Sequence, residues 1–110
     1  MTEPTRMNVT FEGRRLYVAP RKSVLFFAVI GERRLRCYVH ETALLERQNV
    51  PRDETEAYEH YLSAYDRDKD LIQAAARRLI EANVLALDGA VIVSSVARTL
   101  EGATKVPSSI

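Results

Sequence analysis

The hydrophobic and polar positions between residues 23 and 40 follow the pattern of two β-strands joined by a tight turn. Residues 24–30 form an uninterrupted apolar run, VLFFAVI, and residues 33–39 mix arginine with apolar side chains. The two segments flank Gly31-Glu32. Glycine in the first place of a two-residue connection favours a type II′ turn, because glycine adopts that backbone conformation without strain. The pattern therefore predicts a β-hairpin.

The segment before this hairpin also predicts extended structure. MNVTF at residues 7–11 and RRLYVA at residues 14–19 have strand-like patterns, and they lie on either side of Glu12-Gly13, which predicts a turn. Pro20 ends the second segment. The N-terminal part is therefore expected to supply three or four antiparallel strands.

The pattern becomes helical after His40. A short helix is predicted over residues 42–48, and apolar residues then recur at helical spacing in two stretches that the charged sequence DRDKD separates. Spacing alone leaves open whether residues 54–82 form two helices or one bent helix. The apolar positions are Tyr58, Tyr61, Leu62 and Tyr65, followed by Leu71, Ile72, Ala75, Leu79 and Ile80.

The C-terminal region predicts one more strand. AVIVSSV at residues 90–96 follows a turn at Asp88-Gly89, whereas residues 97–110 lack periodicity and predict a flexible tail. Residues 1–96 are thus expected to form a single α+β domain. In it, two to three helices pack on one face of an antiparallel sheet of three to four N-terminal strands, and a C-terminal strand returns to the sheet.

The hairpin register determines which side chains share each face of the sheet. With Gly31-Glu32 at the turn, Ile30 opposes Arg33. Each position farther from the turn on one strand then opposes the equivalent position on the other strand. One face then carries only apolar pairs and is expected to meet the helices: Val24 with Val39, Phe26 with Cys37, and Ala28 with Leu35. The second face forms the candidate interaction surface: Leu25 with Tyr38, Phe27 with Arg36, and Val29 with Arg34.

Three interpretations of this second face remain open. In the first, arginine stems and Tyr38 cover the apolar floor at the surface, with Arg36 stacked on Phe27. In the second, the face contacts another protein or a second copy in a homodimer, because arginine and aromatic residues are enriched in interfaces. In the third, it binds single-stranded nucleic acid, with Phe27 and Tyr38 stacking on bases and Arg34 and Arg36 on phosphates.

Composition and charge are those of a soluble globular protein. The 110 residues are 46% hydrophobic and 28% charged, and the net charge of +1 is unevenly divided. Residues 1–40 hold eight Lys or Arg against three Glu, whereas residues 41–110 hold eight against twelve acidic residues. This division predicts a polarised surface. An aromatic content of 7% and a net charge close to zero disfavour the nucleic-acid interpretation.

The sequence predicts a cytoplasmic protein that does not enter a membrane. Its single cysteine, Cys37, excludes an intrachain disulfide and suits a reducing compartment. The start MTEPTRMN lacks the apolar stretch of a signal peptide. The longest apolar run, seven residues, is far below the ~20 that a membrane helix needs.

The sequence contains no convincing catalytic, cofactor-binding or metal-binding signature. Cys37 and His40 lie three residues apart, so their side chains diverge if the strand continues to His40. DRDKD begins like a calcium loop, but leucine occupies the sixth position, where glycine is required, and Arg77 replaces the closing glutamate. We therefore expect a non-enzymatic domain that acts through its surface, without a cofactor or metal.

Several positions resemble a family of short bacterial proteins. The resemblance covers roughly residues 7–96, and two groups of residues carry it: Val24, Phe26, Ala28, Gly31, Cys37 and Leu44, and then Tyr65, Lys69, Ile72 and Ala75. The pattern is similar to the domain of unknown function numbered 1488, although arginine is expected at the position of Lys69. The resemblance implies a compact α+β domain and assigns no catalytic residue.

Overall fold

A computed structural model describes residues 8–45 and 57–104 of the chain. These residues form a four-stranded sheet, with strand order β1-β2-β3-β4, and four α-helices. The α+β class is therefore confirmed. The elements are β1 (Val9–Val18), β2 (Ser23–Ile30), β3 (Arg33–His40), α1 (Glu41–Leu44), α2 (Ala57–Arg67), α3 (Lys69–Glu81), β4 (Val91–Val93) and α4 (Val96–Thr104).

The hairpin of β2 and β3 has the predicted register. The two strands pair antiparallel from Ile30 opposite Arg33 to Ser23 opposite His40. Gly31 has a φ of 62°, and it is the first of the two turn residues, as a type II′ turn requires. The two-residue connection thus sets the register along the full length of both strands.

β1 is one strand, whereas the sequence predicted two segments around a turn at Glu12-Gly13. Pairing with β2 continues on both sides of this dipeptide, but residues 12–14 lie opposite the single residue Phe27. The extra residues form a β-bulge, which accommodates glycine and polar side chains within a paired strand. The N-terminal part therefore supplies three strands.

The predicted apolar face of the hairpin is buried against the helices. Its five fully buried members have no exposed surface: Val24, Phe26, Ala28, Cys37 and Val39. The ring centroid of Phe26 lies 5.2 Å from that of Tyr65 in α2 and 6.1 Å from that of Phe11 in β1. The assignment of this face to the core is confirmed.

α2 and α3 are two helices that meet at Asp68. The backbone of Asp68 leaves the helical region, with φ −104° and ψ 20°. Its N–H still donates to the Ala64 carbonyl and its carbonyl accepts from the Ile72 N–H, both at 3.0 Å. The charged interruption in the apolar pattern therefore marks a bend between helices, with no intervening loop.

The returning strand is confirmed, and it joins the sheet parallel to β3. Val91 lies opposite Cys37 and Val93 opposite Val39. The predicted tail from residue 97 was wrong for residues 97–104, which belong to α4. Val96 is buried and Leu100 packs against the core, so this short helix gains tertiary contacts that periodicity does not reveal.

The remaining helical predictions fall partly outside the described residues. The helix predicted over residues 42–48 is observed as Glu41–Leu44, and residues 46–48 are not described. Residues 105–110 of the predicted tail also lie outside the described ranges. Within those ranges, none of the helices has the length and apolar character needed to span a membrane.

Candidate interaction surface on the open face of the sheet

The sheet face opposite Phe26 brings together the six residues predicted for the interaction surface. Strand alternation and the β2–β3 register place them there: Leu25, Phe27, Val29, Arg34, Arg36 and Tyr38. The three apolar side chains of β2 are half-buried, and the two arginines are exposed. We call this surface, together with the side chains that contact it from β1, β4 and the connecting turns, the open face.

Phe27 is covered by a guanidinium that a carboxylate holds in place. The Arg34 Cζ atom lies 4.1 Å from the centroid of the Phe27 ring. The Nε and Nη2 groups of Arg34 donate to the two carboxylate oxygens of Glu12, at 2.8 and 2.9 Å. The predicted stacking of Arg36 on Phe27 was wrong, because Glu12 on the bulge of β1 draws the diagonal neighbour Arg34 across β2.

Tyr38 is covered in the same way from a different part of the chain. Arg21 belongs to the 3-10 turn Ala19–Arg21, and its Cζ atom lies 4.1 Å from the centroid of the Tyr38 ring. Its Nη2 group donates to Asp88 Oδ2 at 3.1 Å, while Asp88 Oδ1 accepts from the Ala90 N–H at 3.0 Å. Only 6% of Tyr38 remains exposed. We call these two assemblies the arginine caps.

The arginine caps pair two of the eight basic side chains of the first 40 residues with carboxylates. The hydrogen bond from Arg34 lowers the pKa of Glu12, and the Ala90 N–H, followed by Arg21, lowers the pKa of Asp88. Both carboxylates are therefore ionised at neutral pH and balance their arginines. Arg36 forms no salt bridge within the described ranges, although its charge contributes to the lowered pKa of Asp88.

An apolar row crosses all four strands of the open face. Leu16 lies opposite Leu25, Leu25 opposite Tyr38, and Tyr38 opposite Ile92. The two ends of the row are the exposed positions, since 44% of Leu16 and 39% of Ile92 are accessible. These four residues are called the apolar row below.

Sequence reasoning missed five residues of this surface. Ile92 lies between the buried residues Val91 and Val93, so strand alternation alone could have assigned it to the open face. Leu16 could have been found only with the register of β1, which the bulge alters. Glu12, Arg21 and Asp88 lie in a bulge and two turns, where no periodic signal exists.

The residues considered for catalysis do not form a site. β3 continues to His40, so Cys37 and His40 diverge as predicted for that case. Cys37 is fully buried, and burial raises the pKa of its thiol to about 12. The His40 Nδ1 atom accepts from the Thr42 N–H at 3.2 Å at the start of α1. Within residues 8–45 and 57–104, no group of three His, Cys, Asp or Glu residues could hold a metal ion.

Comparison with models of protein families identifies the family of the chain. A model described as "Protein of unknown function (DUF1488)" matches residues 9–93. The chain belongs to the DUF1488 family. The matched range contains all four strands, so the sheet that carries the open face is part of the DUF1488 domain itself, and the resemblance noted in the sequence is confirmed.

A solved structure has a similar fold. It is the crystal structure of a protein of unknown function from the DUF1488 family of Shewanella loihica PV-4, with 16% sequence identity and a TM-score of 0.69. The alignment covers 84% of this chain and 98% of that chain. At this identity the likeness supports the fold of the DUF1488 domain. A search of curated proteins finds no match.

Proposed function

We propose that this DUF1488 domain is a non-enzymatic binding module that contacts a protein through its open face. The observation that supports the proposal is the apolar row, whose ends at Leu16 and Ile92 stay exposed while Tyr38 between them is held under an arginine cap. The row is continuous from one edge of the sheet to the other and reaches the surface at both ends, and contiguous apolar surface with a polar rim is typical of protein interaction sites. Anchored caps also lower the cost of ordering long arginine side chains on binding.

The edges of the sheet are poorly suited to binding by strand addition. β4 has only three residues, and a bulge interrupts β1 at the position of Phe27. At the start of β1, the Val9 carbonyl already accepts a hydrogen bond from Arg77 at 3.0 Å. Short edge strands and bulges are features that prevent pairing with further strands. The face of the sheet is therefore favoured over its edges.

The alternative function, binding of single-stranded nucleic acid, finds less support in the same geometry. A base could stack on Phe27 only after Arg34 had left both the ring and the Glu12 carboxylate. Stacking on Tyr38 would likewise displace Arg21 from Asp88. The two carboxylates would also repel a phosphate chain, so the platform and the charge that nucleic-acid binding requires are both reduced.

Site-specific photocross-linking in the cells that express the protein tests the proposal. The photoreactive residue p-benzoylphenylalanine replaces Leu16 or Ile92 on the open face, and in a control it replaces Ser63, an exposed residue of α2. We expect discrete protein adducts from positions 16 and 92, and none from position 63. Phe27→Glu in the same chains should abolish them, because it places a charge in the centre of the surface.

Two outcomes would contradict the proposal. Identical adducts from positions 16, 92 and 63 would show that the open face has no special role. Adducts that nuclease treatment removes would favour the nucleic-acid alternative, and anisotropy with single strands would then show an affinity that decreases as salt increases.

A further inference from the structure

We infer that the protein bound by the open face is a second copy of this chain, packed face to face. The inference rests on the proposed function and names its partner. In this arrangement a two-fold axis lies in the interface, parallel to the strands and midway between β2 and β3. The strands of the two sheets then run nearly parallel, as in aligned sheet packing.

The symmetry of the apolar row supports this arrangement. The axis exchanges the β1 side of one copy with the β4 side of the other, so Leu16 of each copy faces Ile92 of the second copy. Leu25 in turn faces the second copy's Tyr38 with the Arg21 guanidinium that covers it. The two exposed ends of the row, on opposite edges of the sheet, therefore cover each other. A two-fold interface uses each contact twice, so one self-complementary row provides both halves.

The charges of the open face are compatible with a second copy. Each arginine cap contains one guanidinium and one carboxylate, so two such faces do not repel each other through these groups. Arg36, a further cation of the face, lies opposite Phe27 in the β2–β3 register. The same axis brings Arg36 to the Arg34–Glu12 pair that covers the second copy's Phe27, where the Glu12 carboxylate can accept a further hydrogen bond from it. Arg36, which forms no salt bridge within residues 8–45 and 57–104, thus gains an acidic neighbour.

The area of the face is sufficient for reversible association. Three strands of eight to ten residues and the three residues of β4, at ~3.3 Å per residue and ~4.8 Å per strand, present roughly 460 Å² per copy. Two copies then bury about 900 Å², which is below the ~1,000 Å² of a stable specific interface and typical of weak, transient association. We therefore expect a dimer in equilibrium with its monomer, with dissociation in the micromolar range.

Sedimentation velocity of the full chain over ~5–500 µM measures this equilibrium. The apparent mass should rise from 12.5 kDa toward twice that value. Leu16→Asp and Ile92→Asp should each weaken association by about tenfold or more, because each change occurs at two contacts. Ser63→Asp should leave the equilibrium unchanged. Both apolar residues are exposed, so the variants should keep the circular dichroism spectrum of the folded protein.

A cross-linking experiment tests the two-fold arrangement itself. Leu16→Cys and Ile92→Cys chains are mixed and treated with a short bismaleimide, which can span the ~10 Å between packed sheets. Adducts between positions 16 and 92 should form faster than adducts of either variant with itself. Cys37 is fully buried and gives no background in the folded protein.

The failures of the two proposals are distinguishable. A chain that stays monomeric over the whole concentration range overturns the inference of a second copy, and so do equal yields of all three adducts. In either case, cross-links from positions 16 and 92 to another protein in cells would still support the proposed binding function. Loss of the difference between positions 16 and 63 in cells would overturn that function instead.

Discussion

Arg34 and Phe27 are diagonal neighbours on β3 and β2, and the guanidinium carbon of Arg34 lies 4.1 Å from the centroid of the Phe27 ring. Glu12, on the far side of β2, binds the same guanidinium through two hydrogen bonds. One cation is therefore shared between a ring beneath it and a carboxylate beside it. The same relationship links Arg21, Tyr38 and Asp88.

The carboxylates of the two arginine caps should respond differently when their arginines are removed. Arg34→Ala should return the pKa of Glu12 toward its ordinary value of 4.5, because the hydrogen bond from Arg34 is the largest cause of its shift. Arg21→Ala should leave the pKa of Asp88 below 3.8, because the Ala90 N–H is the larger cause. Carboxyl-carbon NMR titrations of the two variants and the unsubstituted chain measure both values, and equal recovery would contradict the assignment.

The lowered pKa values of Glu12 and Asp88 determine how the stability of the fold changes with pH. Both groups have a lower pKa in the folded chain than in the unfolded chain, so the unfolded state binds more protons. The arginine caps therefore stabilise the fold above the unfolded-state pKa. This contribution is lost as the pH falls through the folded-state pKa of each carboxylate.

Phe26 and Phe27 are adjacent in sequence but lie on opposite faces, so they form a matched pair of substitutions. Phe26 is fully buried, and Phe26→Ala should cost about 3–5 kcal/mol of the free energy of unfolding. Phe27 is half-buried, and Phe27→Ala should cost about 1–2 kcal/mol. Urea unfolding of both variants measures the difference. A larger loss for Phe27→Ala than for Phe26→Ala would mean that the two faces are assigned the wrong way round.

Arg77 and Arg78 offer a second matched pair on α3. The Arg77 Nη2 group donates to the Val9 carbonyl at 3.0 Å, which ties the first residue of β1 to the helix. Arg78 is exposed. Arg77→Met should lower the free energy of unfolding by about 1–2 kcal/mol, while Arg78→Met should change it little. Urea unfolding again provides the measurement, and indistinguishable midpoints would show that the bond to Val9 contributes nothing.

Cys37 should make the stability of the chain decrease in alkaline solution. Burial raises the pKa of its thiol from 9.0 to about 12, so above pH 9 the unfolded chain loses a proton that the folded chain keeps. Stability should therefore fall as the pH rises from 9 toward 12. Comparing urea unfolding at pH 8 and pH 10.5 for the unsubstituted chain and for Cys37→Ala isolates this contribution. An identical pH dependence in both proteins would exclude it.

The turn type and the alternation of side chains along a strand were sufficient to predict the hairpin and its two faces. The two-residue connection at Gly31-Glu32 permits one register, and strand alternation then assigns every side chain from Ser23 to His40. The prediction that Phe26 is buried and that Phe27 lies on the other face required nothing further. The same rules identified the six central residues of the open face.

The remainder depends on contacts between distant segments, which periodicity does not encode. Glu12 reaches Arg34 only because the bulge of β1 lies beside Phe27, and Asp88 reaches Arg21 across 67 positions of sequence. α4 forms because Val96 and Leu100 pack against the core. The spacing of apolar residues in this part of the sequence did not predict that contact. Which arginine covers which ring was therefore beyond prediction from the chain alone.

The parallel pairing of β4 with β3 has a consequence for the order of folding. β1 to β3 pair with their neighbours in sequence, but Val91 must reach Cys37 across about 50 residues, and such long-range closure is slow. Asp88 and Ile92 arrive with this last strand, so the Tyr38 half of the open face is assembled only when folding is complete. Pulse-labelling hydrogen exchange should protect the amides of β2 before those of β4, and the reverse order would exclude this sequence of events. A chain whose folding is incomplete would then lack the surface that we propose for binding.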